Sequence, residues 1–315
     1  LPLIAVLLYF PLLVLLSELG HRYVEKPMMR KGSKGRAAKA AIATSHVTAR
    51  ARQVVNHGMD IVGGKGICLG PSNFIGRAYQ QIPVGITVEG ANTLTRSLII
   101  FGQGALRCHP FLLVEMQAAQ NPDVRQGLVD FDKALFGHIG FTIKNGFRAL
   151  WLGITGSHFA AVNVDTAPEM RRYYQQLTRF SAAFAFMADI SLLVLGGSVK
   201  RREKLSARLG DILAQMYLMS CTLKRYETDG RNAADAPLAN WAIWDAMYKT
   251  QEAFEGVIAN FPVRFIAAFL HRSIFPWGHP YVVPSDRVGH QVAKLLITPS
   301  ATRDRLTAEC FLPQT

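Results

Sequence analysis

Cysteine is scarce in this chain, and its four copies stand apart: Cys68, Cys108, Cys221 and Cys310 form no C-x-x-C pair. That spacing argues against a disulfide framework or a cysteine-based zinc site and points to a reducing compartment. Histidines are equally scattered, with no close pair at ligand spacing, so no metal is expected. No zinc-finger or RNP-like aromatic signature accompanies the basic charge, which argues against nucleic acid as a partner. Nothing alternates apolar and polar residues for long, as a half-buried strand would, and the fold class expected is all-α. Charge is absent altogether from residues 1–17, LPLIAVLLYFPLLVLLS.

What is present is an apolar share of 50% over 315 residues, enough for one large domain or two smaller ones. The net charge of +13 is uneven, because residues 1–60 hold nine Lys and Arg against Glu18, Glu25 and Asp60. A spanning helix needs about 20 apolar residues, so the uncharged N-terminal run is at the short end of that class. The basic cluster from Arg22 to Lys39 follows it directly. Residues 1–20 are therefore read as a transmembrane segment with its basic flank in the cytoplasm, a buried helix being the alternative. Residues 21–37, ending in KGSKGRA, read as a basic linker.

From Ala38 the apolar residues Ile42, Val47, Ala51, Val54 and Val55 recur at helical steps, and Gly63-Gly64 ends that helix. Pro83 and Gly85 are expected to keep the next segment from forming a long helix. Asn92 is expected to cap a helix from Thr93 to about Arg107, with His109-Pro110 closing the unit. Four amphipathic helices follow. The first, over 131–153, carries the stripe Phe131, Leu135, Ile139, Ile143, Phe147 and Leu150. The second opens at Thr166-Ala167-Pro168-Glu169 and stops at Gly196-Gly197. A third starts at Ser198 with a basic surface from Lys200 to Arg208, and Asp235-Ala236-Pro237 opens the fourth. Each stripe is expected to face the core. Pro276, Pro280 and Pro284 mark a loop before a last helix at 286–297.

One acidic residue stands out. Glu89 sits between the apolar run Ile82–Val88 and the apolar residues Leu94, Leu98, Ile99, Ile100 and Phe101, with no cation after it until Arg96. Burial of that kind raises a carboxyl toward neutrality and suits a general base. An acid just before a helix is also favoured by the helix dipole, so residue types alone leave a capping role open.

The segment from Ala51 to Pro110, ARQVVNHGMDIVGGKGICLGPSNFIGRAYQQIPVGITVEGANTLTRSLIIFGQGALRCHP, resembles the C-terminal helical domain of acyl-CoA dehydrogenases. The stretches GGSVKRREKLSARLGDILAQMYL and IFPWGHPYVVPSD resemble the additional C-terminal helical domain of the large bacterial fatty-acid-oxidation type. The resemblance implies two helical domains, residues 38–110 and 111–315. It implies FAD-dependent dehydrogenation of a fatty acyl-CoA to the trans-2-enoyl-CoA in β-oxidation, with electron-transfer flavoprotein as acceptor. It further implies a homodimer and, with the apolar N-terminus, a place on the cytoplasmic side of the inner membrane. Gly63, Gly64 and Gly66 fall on the family's flavin-contacting glycine turn, and Glu89 falls on its catalytic base. Three places depart from the pattern. Asp60 stands where a glutamine is usual, and Ala91 and Thr93 stand where Thr and Gln follow the base. Arg77 lies farther from Glu89 than the family's arginine does from the base. The family's N-terminal helical domain and middle β-domain are not among these residues, which implies a chain that binds no flavin by itself.

Residues His21 to Pro27, HRYVEKP, resemble the end of the last transmembrane helix of membrane acyltransferases. Two alternatives accompany the enzyme reading: a non-catalytic, membrane-tethered helical assembly module, and a fusion with an acyltransferase remnant.

Overall fold

A computed structural model describes residues 33–71, 73–88 and 91–308. The expected transmembrane segment and most of the basic linker lie outside the described residues, as do Glu89 and Gly90. Helix α1 (Ser33–Val62) runs into a 3-10 turn, Gly63–Gly66, and α2 (Phe74–Thr87) follows. A continuous helical stretch then comprises α3 (Asn92–Leu94), a π-helical segment Thr95–Gln103, and α4 (Gly104–Cys108). After these come α5 (Leu112–Ala119), α6 (Val124–Ile154), α7 (Arg171–Leu195) and α8 (Glu203–Thr228). The chain continues with α9 (Ala236–Ala259), α10 (Arg264–Ile274), α11 (Asp286–Ile297) and α12 (Ala301–Thr307). No strand occurs among the described residues, and the all-α class expected from the absence of alternation is what is found.

The chain divides into two compact units. One takes Leu1–Thr142 with Asp189–Asp211, and the other takes Ile143–Ala188 with Ile212–Thr315, so α6, α7 and α8 each contribute to both. In the first unit, adjacent Ile100 and Phe101 are both buried. The wide π turn makes this natural, because it shifts the register that a regular helix would impose. Gly210 of α8 permits the approach: a Cβ there would lie 3.0 Å from the Arg96 carbonyl oxygen. The second unit is built on aromatic rings, with Phe180 4.9 Å from Tyr281 and 6.2 Å from Phe254, and Phe254 6.0 Å from Phe275 by centroid. The proline-marked loop is pinned at Tyr281, whose backbone N–H and carbonyl both bond the Gln251 side chain at 3.0 Å. Buried Arg179 lies against the same ring and donates to the Ile274 carbonyl at 3.0 Å.

Four expectations need correction. Helix α2 runs through Pro83 for 14 residues; the proline removes the N–H that would bond the Tyr79 carbonyl, but one missing bond does not end the helix. Asn92 is not the cap of its helix. Ala91 occupies that position, and the Asn92 amide instead donates to Thr48 Oγ1 (2.8 Å) and the Ser45 carbonyl (3.2 Å), tying α3 back to α1. The stripe of α6 does not face a core: Ile139, Ile143 and Phe147 are 45%, 53% and 57% exposed. The buried side of that helix carries Ala134, Asn145, Arg148, Ala149 and Leu152, roughly opposite the stripe at 100° per residue. Last, α10 and α12 carry no strong sequence signal and were not expected. By length and composition, Pro168–Arg201 could cross a membrane, yet 50% of its apolar window is buried within the protein. A core helix meets the same description.

Candidate functional site

The glycine turn lies where α1 reverses into α2. Gly63 has φ +60°, the left-handed region that a side chain resists, and a Cβ added at Gly63 or Gly64 would meet nothing within 4 Å. Their backbone is thus open to a close-approaching group. Gly66 is buried against the Met59 side chain. One residue organises the turn. The Asn73 side-chain amide donates to the carbonyls of Gly66 (2.8 Å), Cys68 (3.0 Å) and Lys65 (3.2 Å), while its oxygen accepts from Gly76 N–H (2.8 Å) and so caps α2. Gly76 permits the contact, because a Cβ there would lie 2.8 Å from the Gly66 carbonyl oxygen. Beside the turn is a cavity of about 320 Å³ lined by Val62, Lys65, Cys68, Gly70, Pro71, Asn73 and Ile75, of which Lys65 is charged. That volume is at the small end for ligand pockets. Asp60 and Arg77 are both exposed on their helices.

Glu89 itself is outside the described residues, but its flanks are defined. Val88 is the C-cap of α2 and Ala91 the N-cap of α3, and the first turn of α3 contains no acidic residue. Arg96, the next cation along the chain, is engaged: its guanidinium makes a two-point pair with Asp211 of α8 at 2.7 and 2.5 Å.

A second cluster went unseen in the sequence because its members are 29 to 80 positions apart. His109, His138 and Asp189 place ligand-type atoms within 4.8 Å of one another. His109 Nε2 lies 2.9 Å from Asp189 Oδ1, and His138 Nε2 lies 3.7 Å from the same oxygen. Glu115 meets His138 Nδ1 at 2.8 Å, and Thr142 donates to Asp189 Oδ2 at 2.9 Å. The arrangement does not fit a metal. His109 Nδ1 accepts the backbone N–H groups of Phe111 and Leu112, both at 3.2 Å. Amides can only donate, so the ring proton is on Nε2, the atom that a metal would need bare. Burial acts to raise the Asp189 carboxyl, but the hydrogen bonds from His109 and Thr142 and the attraction of His138 outweigh it and hold the group below the usual carboxylate range. His138 is raised above the usual imidazole range, most by Asp189, then by Glu115, with burial opposing both. At 3.7 Å the Asp189 contact is long for a hydrogen bond and is better described as charge attraction to the more buried carboxylate. The sequence offered one faint signal for this cluster: His138 and Thr142 are four apart on α6, on the flank adjoining Ile139 and Ile143.

No solved structure matches this chain. The family model described as acyl-CoA dehydrogenase, C-terminal, bacterial type, matches residues 106–315, two thirds of the sequence. The match includes the His109 cluster and the whole second unit, and it begins after the glycine turn and Glu89. By that match the chain belongs to the bacterial-type acyl-CoA dehydrogenase C-terminal family, a family of oxidoreductases.

Proposed function

We propose that this chain is the C-terminal portion of an FAD-dependent acyl-CoA dehydrogenase that introduces a trans-α,β double bond into a saturated fatty acyl-CoA. The observation that carries the reading is the family match across 106–315, which adjoins the segment holding the glycine turn and Glu89. Family members generally bind FAD, act on acyl-CoA and oligomerise. The turn fits one end of such a cofactor. The backbone of Gly63 and Gly64 is unobstructed, and Lys65 on the adjoining cavity supplies positive charge for a pyrophosphate. When bound, the flavin supplies the acceptor for the β-hydrogen, which leaves as hydride. Glu89 takes the α-proton in the same reaction. A thioester α-proton is a weak acid, so the carboxylate must be poorly solvated and the carbonyl polarised. The engagement by Asp211 of Arg96, the next cation along the chain, supports that role; the flanking Val84, Val88 and Leu94 are exposed, so the apolar sequence around Glu89 does not by itself bury the carboxylate here.

The described residues offer the flavin only helices and a small cavity, so the chain by itself is expected to hold FAD weakly. Stoichiometric FAD in the purified chain would contradict that expectation. In a flavin-loaded assembly a saturated acyl-CoA should bleach the flavin, and Glu89→Gln should slow bleaching by about 10²–10⁴-fold while leaving the bound flavin in place. Bleaching at an undiminished rate would remove Glu89 from the mechanism. Electron-transfer flavoprotein as acceptor, and attachment through residues 1–20 to the cytoplasmic side of the inner membrane, belong to the same proposal. Alkaline extraction of membranes tests the attachment, and release into the soluble fraction would refute it.

A second reading is favoured by a separate observation. Val47, Val54 and Ile61 repeat every seven residues along α1 and are exposed, as is the stripe of α6. Exposed apolar stripes of this kind mark interaction faces, and a second copy of the chain is the occupant we propose. Assembly through these helices is compatible with catalysis or could stand in its place.

A further inference from the structure

We propose that His138, Glu115 and Asp189 form a proton-dependent clamp that fastens α5 to α6 and α7, and that α5 loosens when His138 gives up its proton. Helix α5 has little else to hold it. Among its eight residues Ala118 alone is fully buried, Leu112 and Leu113 are half-buried, and Val114 and Met116 are exposed, so apolar burial contributes only part of the attachment. At its start, Phe111 stacks on the His138 ring at 5.7 Å and 10° and meets Phe141 edge-on at 5.8 Å. Gly137 makes room for this, since a Cβ there would lie 2.7 Å from the Phe111 ring. Beside that packing and the Leu112 N–H bond to His109, the side-chain charge on α5, Glu115, is held by one imidazole, that of His138.

His138 projects from α6 between two carboxylates, Glu115 of α5 at 2.8 Å and Asp189 of α7 at 3.7 Å. The His109 ring, at the end of α4, lies 4.5 Å from it by centroid. These are the titratable and charged groups that face it among the described residues. When protonated, His138 donates to Glu115 through Nδ1 and presents a second N–H to Asp189 through Nε2, so one cation is shared by two acids. Once the proton is lost, Nδ1 can keep its bond to Glu115, but the bare Nε2 faces the Asp189 oxygen lone pair to lone pair. Buried Asp189 and half-buried Glu115 then share no cation, and among the described residues His109 and Thr142 hold Asp189.

The direction in pH follows from the two shifts. A raised imidazole stabilises the folded clamp fully at low pH and loses that contribution as pH rises through the raised value. A lowered carboxyl contributes above its ordinary range and fails only as pH falls through the lowered value. The clamp is therefore strongest in mildly acid solution and weakens toward alkaline pH.

Amide hydrogen exchange on the 315-residue chain tests the clamp, with each rate divided by its intrinsic rate at that pH. Between about pH 6 and about pH 9, protection of residues 111–119 should fall on the order of tenfold, the worth of a charge-assisted hydrogen bond. Protection of α9, in the other unit, should not change. His138→Gln keeps an amide donor but carries no charge. Its α5 protection should sit near the wild-type alkaline level at both pH values. Glu115→Gln, a milder change at a partly exposed partner, should move the wild-type fall to lower pH. A flat wild-type profile, or a His138→Gln protein that keeps the wild-type fall, would overturn the proposal. If His138→Gln does not fold, the wild type and Glu115→Gln still decide the question.

Discussion

Asn73 shows how much of the site depends on residues that sequence types do not advertise. Gly63 and Gly64 are legible as a helix stop because glycine is the residue that tolerates φ +60° there. Asn73 reads only as part of a polar turn, yet three carbonyls and one amide converge on it. Asn73→Ala should cost about 1–2 kcal/mol, the loss of a cap and of bonds to carbonyls that water can partly replace. Urea unfolding measures this, and an unchanged midpoint would show that the turn holds itself. Gly76→Ala places a methyl 2.8 Å from a backbone oxygen and should cost about 1–3 kcal/mol. The His109–His138–Asp189 cluster was illegible for a different reason. Its members come from a helix end and two long helices, so their proximity is a property of packing that no spacing rule encodes.

At the scale of elements, periodicity located the helices well and their partners poorly. The signals that placed α1, α7, α9 and α11 are local: glycine stops, an N-terminal proline after Asp or Ala, and a three-to-four step of apolar residues. Whether a stripe is buried depends on what lies across from it, and for α6 the buried face is the small and polar one. The π segment Thr95–Gln103 was equally hidden, because the Ile99-Ile100-Phe101 run suits either register. If the exposed stripes mediate self-association, Val54→Glu should shift the sedimenting species toward monomer. It should change the unfolding free energy of the monomer by no more than about 0.5 kcal/mol, as for other exposed sites. Unaltered sedimentation of both Val54→Glu and Phe147→Glu would leave the dimer without these faces.

For the whole molecule, the all-helical class and the family were both within reach of the sequence, and the match over 106–315 agrees with them. The division into compact units was not, because α6, α7 and α8 each run from one unit into the other. A chain read in order has no marker for that kind of sharing. The functional account rests on Glu89 removing a proton from the carbon next to a thioester carbonyl, and wash-in of solvent deuterium at that carbon is its most direct test. In a flavin-loaded assembly in deuterated buffer, a saturated acyl-CoA should gain deuterium at the α-position. Glu89→Gln should abolish that gain, while Asp60→Asn leaves it intact. Undiminished α-exchange in the Glu89→Gln protein would contradict the account.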